Sequence, residues 1–157
     1  MYNLHRVIRA RREYVLGLLA LVTASIFFGA AVYINIAEHP ARLGLPDGAA
    51  LAEWGPAYRR GFAMQAPIAA VSALLGAAAW WTTVDLLWAA GAVIMVANWP
   101  YTLLAIMPTN HLLEATATVG DRDTRERLVQ WGHLHAVRSA LGATATVVYL
   151  IAAQHSL

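Results

Sequence analysis

Trp131, His135, Arg138 and Gly142 are spaced four, three and four residues apart, the interval that places side chains on one stripe of a helix. A histidine on such a stripe can take up and return a proton near neutral pH. An arginine one turn further can stabilise an oxyanion as it develops. His133 is two residues from His135 and points roughly 160° away from it on a regular helix, so the two histidines cannot serve one site. His135, on the arginine stripe, is the better candidate.

A second polar group, Glu38 and His39, closes an apolar run near the N-terminus. Glu38 can orient His135 or balance Arg138. Asn98, Asn110 and Gln65 offer hydrogen bonds, and Tyr58, Trp99 and Trp131 offer flat faces for a ring. The candidate catalytic residues are therefore His135, Arg138, Glu38 and His39. The candidate substrate contacts are Asn98, Asn110, Tyr58, Trp99, Trp131 and Gln65.

Each has a plainer reading. Arg138 and Glu38 can be an ion pair that only pins two helices together. Trp54, Tyr58, Trp80, Trp81 and Trp99 can be interfacial anchors. Asn98 and Gln65 can be hydrogen bonds between helices. Glu38, His39 and His135 also have the composition of a two-histidine, one-carboxylate iron or copper site. Adjacent residues at a helix end rarely point together, so no metal is favoured.

The elements that position these residues follow from composition. Of 157 residues, 59% are hydrophobic and 13% charged, with a mean hydropathy of +0.52. A soluble domain carries about 25% charged residues. The chain is expected to be one membrane domain. All eleven basic residues are Arg, spread over several segments, which argues against a nucleic-acid partner. There is no Cys, which excludes disulfides and thiol chemistry.

A helix of roughly 20 apolar residues crosses a bilayer core. Four stretches qualify, at about 14–37, 62–81, 86–107 and 132–153. The first is longer than a secretory signal core and is read as a retained helix. The second and third, joined through Thr82 to Asp85, must form a hairpin. The fold expected is an all-α antiparallel four-helix bundle with short helices in its two long loops. One loop helix would be capped by Asp47, carry Trp54 and run into Pro56. The other would span about Thr109 to Val119 and end at Gly120. The fourth helix should begin near Thr124, with Asp123 and Glu126 at capping-box spacing. Pro100 and Pro108 free the carbonyls of Val96 and Leu104. Small residues four apart, such as Ala20 and Ala24 or Ala69 and Ala73, suit close helix approach in lipid.

An antiparallel arrangement brings the end of span one, the start of two, the end of three and the start of four to one face. The polar residues concentrate there. Arg6, Arg9, Arg11 and Arg12 favour a cytoplasmic N-terminus, and the long loops carry opposing Arg. The expected location is a bacterial inner (plasma) membrane with both termini cytoplasmic.

The runs Ile36-Ala37-Glu38-His39-Pro40-Ala41-Arg42, Tyr58-Arg59-Arg60-Gly61, Asn98-Trp99-Pro100-Tyr101-Thr102, Pro108-Thr109-Asn110 and Trp131-Gly132-His133-Leu134-His135-Ala136-Val137-Arg138 resemble, in order, the motifs of the anthrone-oxygenase-like family of small membrane proteins. The resemblance covers about residues 15 to 153. It implies a four-helix membrane protein and, from fungal members, oxidation of anthrones by molecular oxygen. His135 and Arg138 carry over best. The function expected is a cofactor-independent oxygenase taking an apolar anthrone- or quinol-like aromatic from the bilayer. The rival is a non-enzymatic accessory subunit or small-molecule carrier. The cofactor is left open, as is an oligomer.

Overall fold

A computed structural model describes residues 2–116 and 123–155, with the side chains of residues 2–10, 12 and 13 outside the description. Val119 and Gly120 lie outside the described residues. Six α-helices make up the described chain: α1 (Tyr2–Tyr33), α2 (His39–Leu43), α3 (Asp47–Thr83), α4 (Leu86–Tyr101), α5 (Met107–Ala115) and α6 (Thr124–His155). Two π-helical stretches, Ile34–Glu38 and Thr102–Ile106, link α1 to α2 and α4 to α5. Four long rods result, each apolar enough to cross a membrane. The protein is an integral membrane four-helix bundle. In each rod's most apolar window only 28–39% of residues are buried within the bundle, so most of that surface faces lipid.

Short helices α2 and α5 stand in the two long loops, as expected, but the helix expected to start at Asp47 and run into Pro56 is not a separate element. Pro56 lies inside a continuous 37-residue α3. Such a helix is about 55 Å long, against a hydrocarbon core of roughly 30 Å. Asp47 is already helical, with Pro46 in the capping position and no side-chain cap. Its carboxylate instead receives Arg125 Nε at 2.7 Å. On the other side of the bundle, α3 and α4 are joined by Val84 and Asp85 alone. Val84 adopts φ 60°, its N–H bonds the Trp80 carbonyl at 2.7 Å, and Asp85 Oδ1 caps α4 by accepting from Leu87 N at 2.9 Å.

The excess rod length therefore stands on the face away from this link and forms a cap. Two apolar cores result. The membrane core contains Ala20, Ala24, Phe27, Ala69, Ala73, Met95 and Tyr149; the cap core contains Leu51, Trp54, Ile106, Leu113, Leu128 and Trp131. Rod one packs between α3 and α6, and α4 packs between the same two helices on the opposite side. Tyr149 fills the centre. Its ring occupies a slot that a Cβ on Gly76 or Gly91 would invade, and its hydroxyl donates to the Ser72 carbonyl at 3.2 Å. Ser72 Oγ in turn donates to the Ala20 carbonyl at 3.1 Å, so the close Ala contacts are also hydrogen-bonded.

Each π stretch is followed two residues later by a proline, Pro40 or Pro108. A proline removes one helical hydrogen bond and crowds the carbonyl four residues back. Here the ladder widens, with His39 N bonding the Ile34 carbonyl and Met107 N the Thr102 carbonyl. The phase consequence is direct. Phe27 and His39 would be roughly 120° apart on a regular helix. Accommodating one extra residue cuts that to roughly 20°, and both are buried.

Candidate functional site

The stripe on α6 faces inward. Trp131, Gly132, His135, Arg138 and Gly142 are buried, and His133 is exposed. Counting about twenty residues back from the link face places Arg138 just inside the hydrocarbon, His135 at its edge and Trp131 in the cap.

His135 is held by a residue not singled out as a candidate from the sequence. Asn35, on the π stretch, donates from Nδ2 to the Gly132 carbonyl at 3.0 Å. That bond fixes which way the amide points. Its Oδ1 must then accept, and it lies 2.7 Å from Ser139 Oγ and 3.0 Å from His135 Nδ1. The His135 proton therefore sits on Nδ1. Nε2 keeps its lone pair and has no hydrogen-bond partner among the described residues.

His39 has the opposite assignment. Arg42 Nη1 donates to His39 Nδ1 at 3.1 Å, so the lone pair of that ring is already taken. Its Nε2 is buried without a partner, packed so closely on α6 that a Cβ at Gly132 would lie 2.5 Å from His39 Cδ2 and Nε2. Glu38 does not pair with Arg138. It bonds Arg42, which also bonds Glu53, so a buried guanidinium is held between two carboxylates that reach the surface at the end of rod one. Arg42 was nearer in sequence, at i+4 from Glu38, the spacing that favours helix ion pairs. Arg138 is 6% exposed, and no side chain among the described residues hydrogen-bonds or ion-pairs with it. Its guanidinium lies over the Phe27 ring, 5.4 Å from the centroid.

The aromatic groups form a layered wall. Trp131 stacks on His135 at 5.1 Å between centroids and 25°, and meets His39 at 5.3 Å and 51°. Trp54 and Tyr58 are parallel within 2° at 5.3 Å. Trp54, 1% exposed, is thus a core residue and no membrane anchor, and Tyr58 packs with it; Trp81, 80% exposed, fits the anchor reading.

A narrow cleft, with about 20 Å³ of room inside and about 360 Å³ counting its open mouth, lies among rods one, two, three and four. Glu38, Tyr58, Gln65, Trp131, His135 and Arg138 all line it, together with Phe62 and Thr102, which had not been singled out as site residues. Asn98 and Trp99 line an adjoining narrow cleft, with about 40 Å³ of room inside and about 330 Å³ counting its open mouth, that shares Phe62, Thr102 and Arg138 with the first. His39 and Asn110 line neither; Asn110 is fully buried, with Nδ2 3.9 Å from Met107 Sδ. Both amide atoms of Gln65, Oδ1 of Asn98 and Nε of Arg138 are buried without partners. Buried polar groups are normally paired, so these four atoms depart from the usual pattern at the walls of the two clefts.

The sequence profile of the anthrone oxygenase family matches residues 54–148. The chain belongs to the anthrone oxygenase family. The matched stretch holds Tyr58, Gln65, Asn98, Trp131, His135 and Arg138. It leaves out rod one, with Asn35, Glu38 and His39. Neither curated protein sequences nor solved structures yield a match to this member of the anthrone oxygenase family. The alternative iron or copper ligand set does not assemble. Among the described residues no three His, Asp or Glu side chains converge to hold a metal ion, and both Glu38 and His39 are turned to Arg42.

Proposed function

We propose that this membrane protein oxidises an apolar, phenolic, anthrone- or quinol-like aromatic with molecular oxygen in the cleft beneath its cap. One observation carries the reading: the unprotonated Nε2 of His135 and the unpaired guanidinium of Arg138 border the same aromatic-walled cleft. The family's name is consistent with it.

For an anthrone-like ring the steps balance as follows. His135 Nε2 takes one proton from the central CH₂ group. The electron pair left behind spreads onto the ring oxygen, where Arg138 and the Gln65 amide stabilise the oxyanion. The carbanion passes one electron to O₂, and the two radicals combine to form a carbon–oxygen bond. The peroxide is protonated. Loss of the second ring proton then expels hydroxide and leaves a carbonyl. One anthrone and one O₂ give one quinone and one water; a quinol, which has no CH₂ group to oxygenate, passes two electrons and two protons to O₂ and gives one quinone and one hydrogen peroxide. Trp131 and Tyr58 hold the ring flat, and the bilayer supplies both reactants.

The test is oxygen uptake by the purified protein in lipid nanodiscs, with anthrone as substrate. One O₂ consumed per quinone is expected, and His135→Ala should slow turnover roughly 10²-fold or more. A wild-type protein that oxidises neither anthrones nor quinols, with His135→Ala indistinguishable from it in cells, would sink the proposal in favour of an accessory or carrier role. We further propose that the Arg-rich N-terminus is cytoplasmic in a bacterial inner membrane, which puts the cap on the outer side.

A further inference from the structure

An apolar groove runs along the seam between α3 and α4 and meets the second of the two clefts at Arg138 only through Trp99. Its walls are mainly alanine: Ala70, Ala73 and Ala77 on one helix, Ala89 and Ala92 on the other, with Trp80 at the link end. It encloses about 1270 Å³ counting the space open to lipid, and almost nothing polar lines it. Trp99 closes the end toward the site and lines both the groove and the adjoining cleft. In that cleft Asn98 Oδ1 and Arg138 Nε stand unpartnered, on residues only 2% and 6% exposed. An apolar trough thus ends at buried polar groups that have no protein partner.

The opposite mouth has another character. A depression between rod one and α3, bordered by Glu38, Arg60 and Met64, shares Ile34, Glu38, Ala57 and Gly61 with the first cleft. The site therefore has a charged rim on one side, and on the other Trp99 stands between it and the lipid-facing groove.

Resting on the proposed function, we infer that the substrate is an amphiphile: a phenolic ring head seated at Arg138 and Asn98, carrying an alkyl or isoprenoid chain that lies in the α3/α4 groove. The head needs a partner for its oxygen, which the free guanidinium supplies. The chain gains little over lipid in energy, because lipid tails are as apolar as the groove. What the groove provides is alignment, delivering the head along one path past Trp99. The charged mouth suits the small polar product that the reaction releases.

The probe is a hydroquinone bearing a ten-carbon chain with a diazirine at its end, photolysed with the protein in phosphatidylcholine nanodiscs. Labelled residues are read by mass spectrometry, and oxygen uptake is measured in parallel. Labelling should concentrate on the groove walls between Ala70 and Trp80 and between Ala89 and Val96. Excess chainless hydroquinone should suppress it at least fivefold, by taking the head site. Arg138→Gln should abolish that competition. Ala77→Phe, which fills the groove from an exposed position, should displace the label while oxidation of chainless hydroquinone is retained. Labels spread evenly over the lipid faces of α1 and α6, no labels at all, or labels that the chainless head does not suppress would each overturn the inference. Concentrated labelling without any oxidation would sink the oxygenase reading and leave the groove standing. Oxidation without concentrated labelling would do the reverse.

Discussion

Among single residues, Asn35 has the most specific consequence. On the proposed function it is a positioning residue, because its amide oxygen faces His135 Nδ1 while its Nδ2 is tied to the Gly132 carbonyl. Asn35→Ala should lower kcat roughly tenfold to hundredfold, within the roughly 10²–10⁴ that a general base contributes, with KM little changed. Nitrogen NMR of the imidazole should show Nδ1–H in the wild type and a mixture of tautomers in the variant. A kcat loss with an unchanged tautomer would mean that Asn35 acts only in folding. Gly132 gives a stability prediction. Gly132→Ala drives a Cβ into the His39 ring and should cost about 1–3 kcal/mol, read as a lower thermal midpoint in detergent. At this scale the sequence was legible where helical phase governs, which separated exposed His133 from buried His135. It was not legible where two carboxylates compete for two arginines. Glu38 went to Arg42 because one helix turn joins them. Asn35 could have been found by asking which polar side chain on rod one faces Ser139 and His135 across the bundle.

For helices, the informative features are the two π stretches ahead of Pro40 and Pro108. Each absorbs one residue and keeps the rod running into the cap. Deleting Ile36, which is 73% exposed, should convert the first into an ordinary α turn. The phase between Phe27 and His39 would survive, so the variant should still fold and purify as a single species. Deleting Leu74 from the regular part of α3 rotates everything beyond it by roughly 100° and should prevent folding. Equal behaviour of the two deletions, seen by size exclusion in detergent, would refute this account. The four spans were readable because twenty apolar residues leave little choice of structure in lipid. Their continuation beyond the membrane was not. Proline and polar composition suggested breaks at Pro56 and around Thr109, whereas burial of Leu51, Trp54 and Leu113 in the cap core keeps the helices going.

For the whole molecule, the division into a membrane core and a one-sided cap makes topology testable. The chain has no Cys, so a single cysteine reports without background. Cysteine placed at exposed Arg59 on the cap should react with a membrane-impermeant maleimide in intact cells, and cysteine at exposed His155 should not. The reverse pattern would place the cap, and the site beneath it, in the cytoplasm. The two-residue link at Val84 and Asp85 also sets the mechanics of the seam above it. A β-branched residue at φ 60° with a closed backbone hydrogen bond leaves no slack there. So short a link resists sliding of α3 past α4, and any separation of the two would have to hinge, like a pair of tongs, about that end. Opening then grows with distance from the pivot and reaches Trp99 after roughly 20 Å of lever arm, at 1.5 Å per residue. The fold thus confines its breathing to the place where a chain would have to pass.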